Sequence, residues 1–137
     1  MNLYKNKKTY YLAVCCELRE TLKNNHLLKN SLKIGEFLSD TDYVLVDVFE
    51  INNNVELHNG NNSVIFEVYK VNLLTLLDIN KLKSFYFVGS TNNENTKKII
   101  NTPYGKSIVY ISTNKITEKS KLIKDYDYLD YYNYKNK

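Results

Sequence analysis

The sequence predicts an α+β protein built as a small mixed β-barrel with short flanking helices. Three observations predict it. Short β-prone runs outnumber helical ones along the chain, and Asn-rich or Gly-containing turns separate them. One helix-like stretch follows directly on the strongest strand, an insertion pattern unlike the regular alternation of a doubly wound sheet. At 137 residues the chain is one domain, long enough to bury a core.

The first strand is expected over Thr9-Tyr10-Tyr11-Leu12-Ala13-Val14-Cys15, which is rich in aromatic and β-forming residues. A polar turn from Glu17 to Asn25 and a short helical piece around His26-Leu27-Leu28-Lys29 come next. Lys33 to Leu38 and Tyr43 to Phe49 read as strands two and three. Asn52-Asn53-Asn54 and Asn59-Gly60-Asn61-Asn62 are turn signals on either side of Val55-Glu56-Leu57. Ser63 to Val71 alternates Val64, Phe66 and Val68 against Ile65, Glu67 and Tyr69, the clearest strand of all. Asn72 is placed to cap a helix through Leu82, with Leu73, Leu74, Leu76 and Leu77 as its apolar face. Phe85 to Val88 and Ser107 to Ile111 are further strands. Thr91 to Thr96 reads as a polar loop and Pro103-Tyr104-Gly105 as a turn. The expected organisation is one domain over 1–114 and a tyrosine- and lysine-rich tail or helix over 115–137, in which tyrosines anchor the tail or present a protein-binding surface.

Composition narrows the functional classes. Hydrophobic residues make up 43% of the chain, which excludes wholesale disorder. No apolar run reaches the roughly 18 residues that span a bilayer, so no membrane association is expected. The N-terminus has no signal-peptide pattern, and a cytoplasmic protein is the expectation. The net charge of +4 comes from dispersed lysines, and Arg19 stands alone among 19 basic residues. Bidentate arginine readout is nearly absent, so nucleic acid is not an expected partner. Cys15 and Cys16 are adjacent: disulfide geometry disfavours neighbours, and a strand would point the two side chains to opposite faces, one into the core and one toward a pocket or solvent. Two cysteines and two histidines without ligand spacing give no metal site, and no motif calls for a cofactor. An Asn-, Lys- and Tyr-rich, Arg-poor composition suits an AT-rich genome such as that of a virus or phage, whose host cytoplasm would then be the compartment.

Three segments together resemble the gamma-glutamyl cyclotransferase-like (AIG2-like) family. Val14 to Leu28 is similar to the family's VYGTLRRGxxNHxLL strand and loop, with Leu18, Arg19, Asn24, His26, Leu27 and Leu28 matching, and Ile34-Gly35-Glu36-Phe37 resembles its LGE continuation. Glu67-Val68-Tyr69 matches the EVY strand, Leu77-Asp78 matches the LDxxE helix, and Tyr86 falls where a family tyrosine often stands. The likeness spans roughly residues 9 to 111. It implies the family's barrel and, in an intact member, release of 5-oxoproline as the substrate's α-amine closes on its γ-carbonyl with a glutamate shuttling the proton.

The departures fall on the site. Lys81 occupies the position of the catalytic glutamate, where an ordinary lysine already carries the proton a base would accept. The Tyr and Gly of YGTL are Cys15 and Cys16, and its Thr is Glu17. Glycine there would let backbone N–H groups approach a carboxylate. A carboxylate at Glu17 instead repels a like charge 4 Å away by roughly 4 kcal/mol at an effective dielectric of 20. The expectation is therefore a chain without catalytic residues, whose Cys15, Cys16, Glu17, Leu18 and Lys81 line a remodelled binding site. Lys81 and Glu17 would face one cavity, to pair or to receive a small anionic ligand, or a protein partner would bind the surface. The other reading is an active gamma-glutamyl(amine) cyclotransferase in which burial lowers the Lys81 pKa. A Cys16 nucleophile would need a neighbouring histidine or helix N-terminus, which the sequence does not supply.

Overall fold

In the computed structural model the described residues are 8–16, 18–20, 22–47, 55–85, 95–112, 116, 121–123 and 127–135. Among these residues eight strands form two sheets. The larger has the order β2 (Leu32–Leu38), β5 (Ile65–Asn72), β1 (Thr9–Val14), β7 (Gly105–Ser112) and β6 (Asn95–Thr102). The smaller has the order β4 (Val55–Asn59), β3 (Tyr43–Asp47) and β8 (Lys121–Ile123). A 3-10 helix, Lys23–Leu28, lies between β1 and β2. Helix α1 spans Leu73–Phe85 and helix α2 spans Tyr128–Lys135. Among the described residues only β1 and β7 run parallel, and the other pairings are antiparallel. None of the described helices is long and apolar enough to cross a membrane.

The alternation along β5 explains how the sheets are held. Phe66 and Val68 enter a cluster with Ala13, Val109 and Ile111 of the large sheet and Leu45, Leu57 and Ile123 of the small one. Tyr69 and Val71, on the opposite face of β5, join a second cluster with Leu12, Val14, Leu18, Leu76 and Ile79, which seats α1. Fully burying side chains of this size stabilises the fold by about 1.5–3 kcal/mol each. The segment after residue 114 takes part in this core: β8 pairs with β3, Ile123 lies in the first cluster, and Tyr128 is 1% exposed.

Two glycines answer to close approach and turn geometry. A Cβ on Gly35 would run into the Tyr104 hydroxyl, which donates to the Glu36 carbonyl at 2.8 Å. Gly105, at φ +121, closes the β6–β7 hairpin in the region that favours glycine.

Several expectations need correction. The helix is there, capped as expected by Asn72 Oδ1 accepting from the Thr75 N–H at 2.8 Å. Its buried face, however, is Leu76 and Ile79, while Leu74 and Leu77 are each 49% exposed. Helical periodicity places Leu77 about a third of a turn and Leu74 about half a turn away from the packed stripe. Phe85 ends that helix instead of opening a strand, and 86–88 and Tyr86 lie outside the described residues. Asn95–Thr102 is a strand although its start reads as a polar loop. It is the edge of the large sheet, where exposed Lys97 and Lys98 are compatible with pairing on one side only.

Candidate functional site

The loop leaving β1 is where the resemblance places substrate. Strand pairing ends at Val14, and the chain then turns: the Arg19 N–H donates to the Cys16 carbonyl at 3.0 Å, and the Leu22 N–H to the Arg19 carbonyl at 3.1 Å. Asn25 Nδ2 fastens the turn by donating to the Leu18 carbonyl at 2.8 Å.

Arg19 is the centre of the site. It is 2% exposed, and its Nε donates to Glu67 Oε2 at 2.7 Å while Nη1 donates to Asp127 Oδ1 at 2.5 Å. Glu67, 1% exposed on β5, also accepts at Oε1 from the Glu20 N–H and from the Tyr69 hydroxyl, each at 2.8 Å. Asn25 Nδ2 reaches the same Tyr69 oxygen at 3.1 Å. Burial acts to lower the Arg19 pKa, but the hydrogen bonds and charges of Glu67 and Asp127 outweigh it and raise the value. Burial, followed by the Glu67 carboxylate, holds the Tyr69 phenol far above the ordinary tyrosine range. Two ions can be kept out of water only when donors and acceptors are matched this fully.

The same network ties the C-terminal helix to the loop. Asp127 Oδ1 accepts from the Leu129 N–H at 3.0 Å, so the side chain that receives Arg19 also caps α2. One turn on, the Tyr131 hydroxyl donates to Asp47 Oδ2 on β3 at 2.6 Å. Burial, then the Asp47 hydrogen bond and charge, push Tyr131 up to about 12.

The expected site residues are divided by the fold. Cys15, Cys16 and Leu18 lie together at the loop, but at 7%, 6% and 2% exposure they are buried and do not line an open cleft. The two thiols do not point to opposite faces: both enter the core cluster shared by the sheets, and their sulfurs are 3.3 Å apart. The reason is local, because the residue-by-residue alternation stops where β1 stops. Glu17 lies outside the described residues, so its pairing with Lys81 does too. Lys81 is exposed, two residues beyond buried Ile79 and hence on the far side of α1 from the packed face. Its neighbour Asn80 turns inward, where Oδ1 accepts from the Tyr110 hydroxyl; burial pushes that phenol up to about 12.

Sequence reasoning missed Asp127, Tyr69 and Asn25 as members of one network, and read Arg19 only as a matched letter and as the lone arginine that argues against nucleic acid. A signal was present: a single arginine in a chain that otherwise uses lysine marks a place where a planar fork is needed. Two further features were not foreseen. On β4, His58 Nε2 and Glu56 Oε1 form a buried pair at 2.8 Å. A separate cavity of about 480 Å³ opens between the β2–β3 connection and the β6–β7 hairpin, with Phe37, Tyr43 and Ile100 in its wall and Asp40 and Asp42 beside them. Among the described residues no three His, Cys, Asp or Glu side chains converge as metal ligands.

Several solved structures share this architecture over nearly their whole length. An uncharacterized protein from Pyrococcus horikoshii is 20% identical, with 93% of this chain and 96% of that one covered at a TM-score of 0.75. An AIG2-like protein from Mus musculus is 17% identical, with 87% and 88% covered at 0.65. The chain has the AIG2-like fold. The protein ytfP from Escherichia coli is 27% identical, with 88% and 97% covered at 0.66. At the level of sequence, no family model and no curated protein matches the chain.

Proposed function

We propose that this chain uses the AIG2-like scaffold to bind rather than to turn over a substrate, as a non-catalytic receptor for a small anionic ligand or a protein. The observation that carries the reading is the commitment of Glu67. Its two oxygens are held by Arg19, the Glu20 N–H and the Tyr69 hydroxyl, inside the core. A carboxylate held this way ties the loop to the core, with three of its roughly four acceptor directions taken by protein donors. Asp127, the other carboxylate on Arg19, is engaged with the α2 terminus as well. The helix position that the resemblance assigns to a catalytic glutamate offers an exposed lysine instead. Scaffold reuse of this kind is consistent with a fold that hosts unrelated functions. In a virus or phage the natural use would be engagement of a host component.

The test is an assay for 5-oxoproline release from gamma-glutamyl amines and gamma-glutamyl peptides, run on the unmodified protein and on Lys81→Glu. Neither is expected to exceed the uncatalysed rate, because restoring a carboxylate on the exposed face of α1 does not bring it to the loop. Turnover by the unmodified protein would overturn the proposal in favour of an active cyclotransferase. Native mass spectrometry of protein purified from its own cell distinguishes a retained small molecule from a retained protein.

A further inference from the structure

The two adjacent cysteines are more than core filling. Cys15 and Cys16 are both reduced, both buried in one apolar cluster, and their sulfurs stand 3.3 Å apart. Adjacent residues in an extended strand would hold these sulfurs on opposite faces; the turn that begins after Val14 has brought them to one side. From that separation, bonding requires the sulfurs to close to about 2.05 Å. Neighbouring Cα atoms across a trans peptide are about 3.8 Å apart, below the roughly 4.4–6.8 Å span of ordinary disulfides. The resulting eight-membered ring would be strained, and strained disulfides have the more oxidising potentials of labile, regulatory bonds.

We infer that Cys15 and Cys16 form a redox site, a vicinal dithiol that a hydroperoxide converts reversibly to an intraloop disulfide. The chemistry balances in two steps. One thiol gives up its proton and, as thiolate, attacks the distal peroxide oxygen, breaking the O–O bond and forming a sulfenic acid, while the other oxygen leaves as hydroxide and takes up the proton the thiol released. The second thiol then attacks that sulfur, the S–S bond forms, and the sulfenic oxygen departs as water. Two thiols lose two electrons and two protons, and with hydrogen peroxide as oxidant the by-products are two waters. Burial among apolar side chains disfavours the thiolate, so the first step waits on local opening of the loop, and the same burial keeps competing thiols of other molecules away from the sulfenic acid.

The site is wired to the loop. The Cys16 carbonyl accepts the Arg19 N–H, and Arg19 holds Glu67 and Asp127. Closing the ring rotates the peptide between the cysteines and so strains the hydrogen bond that sets the Arg19 backbone.

The experiment is mass spectrometry of the folded protein before and after hydrogen peroxide, with thiols blocked before digestion. Cleavage after Lys8 and Arg19 releases Thr9–Arg19, which contains both cysteines. The expected result is loss of two hydrogens from that peptide in monomeric protein, reversed by dithiothreitol. In Cys15→Ser and Cys16→Ser this loss disappears. Hydrogen exchange at the Arg19 amide is expected to quicken on oxidation. Oxygen-added cysteines without loss of the two hydrogens, crosslinked dimer alone, or no reaction in folded protein under conditions that oxidise the urea-unfolded chain would each overturn the site. Unchanged exchange at Arg19 in the oxidised protein would overturn its coupling to the loop. The unmodified protein carries the decisive measurement, so the inference stays testable if a serine variant does not fold.

Discussion

Replacing Arg19 with methionine is the most direct challenge to the network at the centre of this fold. The substitution keeps the length of an apolar stem and removes the guanidinium, leaving Glu67 at 1% exposure without its cation. Breaking a buried ion pair by removing one partner costs about 3–5 kcal/mol. Glu67 retains the Glu20 N–H and the Tyr69 hydroxyl as donors, which places the expected loss at the lower end, about 3 kcal/mol. For a domain of this size that lowers Tm by about 10 °C. Urea unfolding followed by far-UV circular dichroism measures it. Adding Glu67→Gln to Arg19→Met should recover about 1–2 kcal/mol of the sum of the single losses, since the orphaned charge disappears while Oε1 can still accept. A cost below about 1 kcal/mol for Arg19→Met, or strict additivity in the double variant, would refute the claim that the pair is interdependent and dry.

Two other perturbations probe the elements around it. Tyr131 has its pKa raised to about 12 from 10.0 by burial and by Asp47, so its contribution to stability is complete below pH 10 and disappears as pH rises through 12. Thermal melts between those pH values should therefore fall less steeply in Tyr131→Phe than in the unmodified protein, and equal slopes would contradict the Asp47 contact. Asn72→Ala removes the cap on α1 and should cost about 1 kcal/mol in chemical denaturation, with Asn72→Asp close to neutral.

Much of the architecture was legible in the sequence because it is written in short-range patterns. The alternation of Val64, Phe66 and Val68 reports a strand with one face in the core, and that is where they lie. Asn72 declares a helix start because its own side chain supplies the first bond, and Pro103-Tyr104-Gly105 turns because Gly105 tolerates a positive φ. The edge strand Asn95–Thr102 was not legible, since its polar start reads as part of a loop until the partner β7 is in place. The helix face was misread for a related reason: four leucines mark an apolar helix without saying which of them the sheet will cover, and Leu18, Leu12 and Val71 chose Leu76 and Ile79.

The candidate site divides along the same line. By itself the sequence determined the strands around residues 9–14, 32–38, 43–47 and 65–72, the cap, the turn, and the substitution of cysteine and lysine at the positions the resemblance marks, because each is a property of one residue and its chain neighbours. Only the tertiary structure decided that Arg19 would find Glu67 across 48 positions and Asp127 across 108, that Lys81 would face outward, and that two adjacent thiols would share one side of a turn. Those outcomes depend on which surfaces exclude water from a charge, and no local pattern contains that information.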